Sequence, residues 1–324
     1  MKILIAGASG MIGSALGETL KSEGFTVAKM VRDRDLLTDE TAFWDPFDDT
    51  IDIPKLDWIG GTEGFRAVVN VAGESMANGK WTEEYKQRIR DSRVKPTALL
   101  ANALTELKVK PAVLVNASAI GIYGDRGDAL LDESSPPGKD GFLVAVCKLW
   151  EAATKPASDA GIRVVNTRFG LVLSTKGGAL KRMITMAKIG GAAPLGEGNQ
   201  WWSWVTIDDA VRAIIHVIKT DSISGPVNVT NTNPLRNVDF SHSMQYYFKA
   251  PIHMHIPPFV LRMMFGEMAD EALLASQKAM PVKLRQTGFK FRHENLEPAL
   301  RHLTSERVED VEKELGKGDS DLLN

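Results

Sequence analysis

The sequence predicts a doubly wound α/β fold, a parallel sheet covered by helices on both faces, followed by a small, mainly helical C-terminal lobe. Three observations predict it. Short apolar, β-branched runs recur at 2–7, 25–31, 67–73, 112–118, 163–170 and 226–231, and longer segments of helical spacing lie between them at 11–23, 82–107, 142–160 and 208–219. Strand and helix in alternation join as right-handed βαβ units, which build a parallel sheet buried on both faces. The first run passes without a break into Gly7-Ala8-Ser9-Gly10-Met11-Ile12-Gly13, spaced glycines that open the first helix. From about residue 175 the alternation loosens into a helix-like stretch and a Gly/Pro-rich loop, and the last regular strand run is the one at 226–231.

A chain of 324 residues with 44% hydrophobic content is long enough to bury one large core, or a core with a lobe. We expect residues 1–233 to form the main domain, with a lobe-forming insertion at about 175–204, residues 234–303 the C-terminal lobe, and 304–324 a frayed tail. A formal net charge of −2 without a basic run argues against nucleic-acid and membrane-surface partners and for small-molecule chemistry. The single cysteine, Cys147, excludes an internal disulfide and any thiolate cluster, and points to a reducing compartment. By itself it reads as a small buried apolar residue. The apolar run after Lys2 reaches glycine within five residues, too short for a secretory signal, and no stretch approaches the ~18 apolar residues of a membrane span. The expectation is a cytoplasmic protein acting on a small molecule.

Each glycine of the first turn has a task in a nucleotide-binding Rossmann unit. Gly7 permits the tight turn, Gly10 lets the backbone approach a pyrophosphate, and Gly13 lets the helix pack close to the sheet. The helix start, with Ser9, Met11 and Ile12, turns free N–H groups and the positive dipole end toward the anion. The second strand ends at Met30-Val31 and is followed by Arg32-Asp33-Arg34. An acidic residue at that strand end binds the ribose hydroxyls of NAD, whereas an arginine pairs with the 2′-phosphate of NADP. Arg32 points to NADP(H), with Asp33 and a plain solvated loop as the competing readings. Ligands of such sheets lie beyond the carboxyl ends of the strands. Val71, Ala72 and Gly73 are therefore expected beside the adenine ribose and pyrophosphate, Arg93 within reach of a phosphate or ribose, and Phe169, Gly170 and Leu171 at the nicotinamide.

Further along, the helix GFLVAVCKLWEAATK places Phe142, Ala145, Val146, Leu149, Trp150 and Ala153 on an apolar stripe with Lys148 among them. Lys148 either snorkels or reaches into a pocket. Thr206-Ile207-Asp208-Asp209 reads as the start of the helix at 208–219. At least one residue of Trp201-Trp202-Ser203-Trp204 is expected to wall a pocket. His253 and His255 alternate as on a strand, and with no third ligand at suitable spacing no metal site is expected.

GASGMIG, NVAG at 70–73, SAIGIYG at 118–124, the helix bearing Lys148 and WWSWVTIDDAV at 201–211 occur in the order found in extended short-chain dehydrogenase/reductases, which the chain resembles. It is most similar to their atypical NADP-binding branch, the NAD-dependent epimerase/dehydratase or sugar-nucleotide-epimerase-like proteins. Gly73-Glu74, Trp81 and Arg90-Asp91-Ser92-Arg93 match that branch, and residues ~249–297 match its C-terminal domain of unknown function. The resemblance implies a serine, and a tyrosine four residues before a lysine, as the catalytic set. Ser118 matches the serine and Lys148 the lysine, while Val144 stands at the tyrosine position. Lys148 is then a ribose ligand without its usual partner, and Tyr123, Asp125 or a water is left to move the proton. The resemblance further implies a homodimer through helices 82–107 and 142–160. Two functions stay open: an NADP(H)-dependent oxidoreductase or epimerase acting on a small, perhaps nucleotide-linked substrate, and an NADP(H)-binding sensor or partner-binding protein without strong turnover.

Overall fold

The computed structural model describes residues 1–188, 192–250 and 255–305. Eight strands form the main sheet: β1 (Lys2–Ala6), β2 (Thr26–Val31), β3 (Thr41–Asp45), β4 (Thr50–Ile51), β5 (Ala67–Asn70), β6 (Val113–Ala119), β7 (Arg163–Phe169) and β8 (Gly225–Val229). Their order is β8-β7-β6-β5-β1-β2-β3-β4, and every pairing is parallel except β3 with β4. Strand order runs outward from β1 in both directions. The crevice at the carboxyl ends of β1 and β5 is thus the topological switch point, where ligands of this architecture bind.

Side chains of β1 alternate between the faces. Ile3 and Ile5 join Leu16 and Leu20 of α1 (Met11–Ser22) in one core. Leu4 and Ala6 join Leu56 of α2 (Ile53–Gly60) and Leu100 and Leu104 of α3 (Glu83–Glu106) in the other. Apolar residues of the central strands are buried on both faces, as a doubly covered parallel sheet demands, and the buried polar residues of these strands cluster toward their carboxyl ends, as Asn70, Asn116, Ser118 and Arg168 do. All six expected strands are present. The sheet also contains β3 and β4, beyond the six runs expected: TAFWD is only five residues long and takes its strand form by pairing with β2.

The helix expected at 142–160 is two helices, α4 (Phe142–Ala152) and α5 (Lys155–Asp159). Pro156 has no N–H for the helical ladder, so it begins a new helix instead of continuing α4. The expected apolar stripe is also rotated. Leu143, Val144, Val146, Cys147 and Trp150 are buried, whereas Ala145, Lys148 and Leu149 face outward. Nearly every position of α4 is apolar, so periodicity alone did not choose the buried side.

After β7 come α6 (Gly178–Lys188), α7 (Ile207–Lys219) and, beyond β8, α8 (Asn237–Phe248) and α9 (Pro258–Phe265). The Thr206 hydroxyl accepts from the Asp209 N–H at 3.2 Å, the cap expected there. Short two-stranded pairings bind the later part of the chain to the sheet's carboxyl edge: Lys278–Ala279 with Leu130–Leu131, and Trp204–Thr206 with Leu171–Leu173. Residues 296–305 are helical, and 306–324, most of the expected tail, lie outside the described residues, as does His253. Among the described residues no helix is long and apolar enough to cross a membrane.

Candidate dinucleotide and ligand site

The glycine turn is so tight that two of its positions exclude any side chain. A Cβ on Gly7 would lie 2.6 Å from the Ala72 nitrogen, and Gly7 has φ +82°, open to glycine at little cost. A Cβ on Gly13 would lie 2.1 Å from the Gly7 carbonyl oxygen. The turn is closed by Gly10 N–H donating to the Gly7 carbonyl at 3.1 Å. Gly10 caps α1 with no side-chain hydrogen bond, and no acidic residue stands in the first turn. The first N–H groups of α1, at Met11, Ile12 and Gly13, are left for an anion, and Ser9 and Gly10 are exposed beside them. Val71 and Ala72, the neighbours that force Gly7 to be glycine, follow β5 directly, and Val71 N–H donates to the Ala6 carbonyl at 2.9 Å. Arg93 lies across Gly73, its Nη2 donating to the Glu74 carbonyl at 2.9 Å and Nη1 to the Ile89 carbonyl at 2.8 Å.

At the end of β2 the two charges separate in role. Asp33 Oδ1 accepts from the Asp35 N–H at 3.0 Å and caps a short turn, while Arg34 lies over the Phe43 ring at 3.8 Å. Arg32 is exposed, with no hydrogen bond or ion pair among the described residues.

Ser118 and Tyr123 are brought together, but by a buried polar network. Ser118 Oγ donates to Glu151 Oε1 at 2.7 Å, and Arg168 grips the same carboxylate with Nε at 2.8 Å and Nη2 at 2.9 Å. Arg168 Nη1 donates to the Tyr123 hydroxyl at 3.0 Å. That hydroxyl has one proton and two acceptors near it, Asn228 Oδ1 at 2.8 Å and the Asp132 carbonyl at 2.9 Å. Burial raises the Tyr123 pKa against the opposing charge of Arg168. Burial works against the Arg168 charge, but hydrogen bonds and charge from Glu151 outweigh it and the pKa is raised. Tyr123 is fully buried and Ser118 is 3% exposed.

Lys148 stands apart from this pair, contrary to the sequence reading. It is on the outward turn of α4, and its Nζ donates to the Gly138 carbonyl at 2.8 Å. Cys147 takes the inward position, against Gly121 and near Arg93; burial pushes its thiol up to about 12, with the Glu151 charge adding to the effect. Val144 packs on Gly124 and Gly138. Lys148→Ala is therefore expected to leave NADPH affinity within about twofold and stability within ~0.5 kcal/mol, as for other exposed substitutions. Calorimetric titration and thermal melting check both.

A cavity of about 600 Å³ opens beside the glycine turn, between the loop Ser75–Asn78 after β5, the start of α6, Trp202, α8 and α9. It lies next to the glycine turn: a Cβ on Gly178, which lines the cavity, would lie 3.2 Å from Met11 Sδ. Trp202 is the tryptophan that walls it; Trp204 is fully buried, and Trp201 holds Asp128 through its indole N–H at 2.8 Å. Phe169 is buried and Leu171 N–H donates to the Ser203 carbonyl at 2.8 Å, so the loop after β7 is tied to the tryptophan segment. Away from this cavity, Asp208, His293 and His302 bring three ligand-type atoms within 4.8 Å of one another. The two imidazoles stack with centroids 4.5 Å apart and planes at 24°. His302 Nε2 lies 3.2 Å from Asp208 Oδ2.

Residues 3–230 match the model of the NAD dependent epimerase/dehydratase family, and residues 256–303 match a domain of unknown function, DUF1731. The chain belongs to the NAD dependent epimerase/dehydratase family. Within this family it is 40% identical to an epimerase family protein of Mycobacterium bovis over 94% of this chain and 97% of that one. A crystal structure of human epimerase family protein SDR39U1 with NADPH superposes with a TM-score of 0.83 at 27% identity, covering 94% of this chain and 99% of that chain. A nucleoside-diphosphate sugar epimerase from Corynebacterium glutamicum gives a TM-score of 0.74 at 33% identity, over 93% of this chain and 57% of that chain.

Sequence reasoning missed Glu151, Arg168, Asn228 and Asn237. A signal for the first two was present. Arg168 is a charge inside an otherwise buried strand, which requires a partner, and Glu151 follows Trp150 on the buried side of α4. Asn237 carried no signal, because its surroundings come from distant parts of the chain.

Proposed function

We propose that the protein binds NADP(H) and performs oxidoreductase or epimerase chemistry on a small molecule held in the cavity beside the glycine turn. One observation carries the reading: the first turn of α1 keeps its N–H groups uncapped behind glycines that admit no side chain, at the switch point of the sheet and next to that cavity. In this reading Gly7, Ser9, Gly10, Met11, Ile12 and Gly13 hold the pyrophosphate, Val71, Ala72 and Gly73 border the adenine ribose, and Arg93, Phe169 and Leu171 flank the rest of the cofactor. The bound dinucleotide supplies or accepts hydride. Arg32 selects NADP(H), supported by its lack of a partner among the described residues and by Asp33 being held as a turn cap. Human SDR39U1, crystallised with NADPH, supports the same choice.

Calorimetric titration tests the reading. NADPH is expected to bind about tenfold tighter than NADH, the lower end of what a hydrogen bond to a charged group contributes because Arg32 is exposed to solvent. Arg32→Ala should erase that difference, and equal affinities in the wild type would refute the assignment. One observation favours the second reading, a dinucleotide-binding protein without turnover: Ser118 and Tyr123 already have their hydroxyls engaged in the Glu151–Arg168 network. Substrate-dependent loss of NADPH absorbance separates the two.

A further inference from the structure

The cavity beside the phosphate loop has a wall chemistry of its own. Its lining is dominated by Met183, Met244, Met264, Met268, Phe240 and Phe265. Thioether and aromatic side chains adapt to varied apolar shapes and offer nothing to a phosphate. Arg182 is the one cationic residue in the lining among the described residues, and its guanidinium is already held, by the Ala77 carbonyl and by Asn78 Oδ1 at 2.9 Å. Trp202 turns its ring to the cavity edge-on to Phe240, with centroids 5.4 Å apart, and its indole N–H is engaged by the Leu273 carbonyl at 3.3 Å.

In this largely apolar wall one polar group is both fully buried and without a hydrogen-bond partner among the described residues. Asn237 is 0% exposed, begins α8 and lines the cavity. Its Oδ1 accepts from the Leu195 N–H at 2.7 Å, which fixes the orientation of the amide, since the flipped form would set N–H against N–H. The Nδ2 group is then a donor, and it has no acceptor among the described residues. Buried donors are paired almost without exception, so this one marks a place where a partner is expected to arrive.

We infer that the cavity binds an uncharged, largely apolar molecule carrying one hydrogen-bond acceptor, a ketone or similar carbonyl oxygen, which accepts a hydrogen bond from Asn237 Nδ2. That the bound molecule is the substrate rests on the dinucleotide reading above; that it binds does not. A sugar nucleotide is the opposing candidate, and it would bring a pyrophosphate to a wall whose one cation among the described residues is already engaged.

The test is equilibrium dialysis of the full chain with 4-phenyl-2-butanone, with butylbenzene as its oxygen-free counterpart and with UDP-glucose, while NADPH is titrated separately. After each affinity is corrected for the compound's own water-to-cyclohexane partition, the ketone is expected to exceed the hydrocarbon by about tenfold or more, the effect of a hydrogen bond made in an apolar site. Asn237→Leu should remove that excess and leave butylbenzene binding in place. Should this variant not fold, the wild-type ratio decides alone. Equal corrected affinities, or UDP-glucose binding more tightly than the ketone, would overturn the inference. Ketone binding without NADPH binding would sink the dinucleotide reading and leave this one standing; NADPH binding without ketone binding would do the reverse.

Discussion

Gly13→Ala is expected to abolish dinucleotide binding and to destabilise the fold by about 1–3 kcal/mol, the range for inserting a methyl group into a packed site. In an ordinary helix the same change would stabilise by ~1 kcal/mol, because alanine loses less backbone freedom than glycine. The sign reverses here. The added Cβ would meet the Gly7 carbonyl oxygen at 2.1 Å and the Ala8 Cα at 2.8 Å, both backbone atoms with no rotamer to escape through. Relief requires α1 to move away from the turn, which pulls the N–H groups of Met11 and Ile12 off the pyrophosphate. Losing two hydrogen bonds to a charged group weakens binding by about 100-fold or more. Gly17→Ala is the internal control: it lies in the same helix, and its Cβ would meet only Ile5 Cδ1, at 3.9 Å. Gly17→Ala should raise the denaturation midpoint and leave NADPH binding intact. Retained affinity in Gly13→Ala would show that the pyrophosphate does not sit on this turn.

The contrast between these two glycines also shows what the sequence could express. Gly13 was legible because its neighbours in space, Gly7 and Ala8, are its neighbours in sequence, and the central strands were legible because each carries a short run rich in apolar, β-branched residues. Thr41–Asp45 was not, since a strand of five residues takes its form from pairing with β2. In α4, whose apolar residues run almost all the way round, the pattern could not choose between Cys147 and Lys148 as the inward residue; packing against Gly121 and Gly124 decided it. The cavity was illegible for a related reason. Its walls come from segments between residues 75 and 273 that meet only in the folded chain, and the free donor of Asn237 exists because Leu195, 42 positions away, holds the other half of the amide.

Glu151→Ala is expected to have the largest effect on stability, a loss of about 3–5 kcal/mol, because it leaves the Arg168 charge buried without its partner. The side chains of Arg168 and Glu151 are only 6% and 15% exposed, so water cannot take over the role of the carboxylate. The loss also spreads: the Ser118 hydroxyl is left without its acceptor at 2.7 Å, and Arg168 then bears on the Tyr123 hydroxyl alone. Glu151→Gln keeps an oxygen for one of these donors and should cost less. Glu151→Leu combined with Arg168→Met removes both charges together and should recover much of what the single change loses, since the cost lies in the unpaired charge more than in the missing attraction. Urea denaturation of the two single variants and the double variant measures the coupling directly. A cost below about 1 kcal/mol for Glu151→Ala would mean that solvent reaches Arg168, and the network would then belong to an open pocket instead of the core. A near-neutral double variant that still binds NADPH would establish that Ser118, Glu151, Arg168 and Tyr123 serve the scaffold under the crevice, and that any proton transferred to a substrate comes from elsewhere.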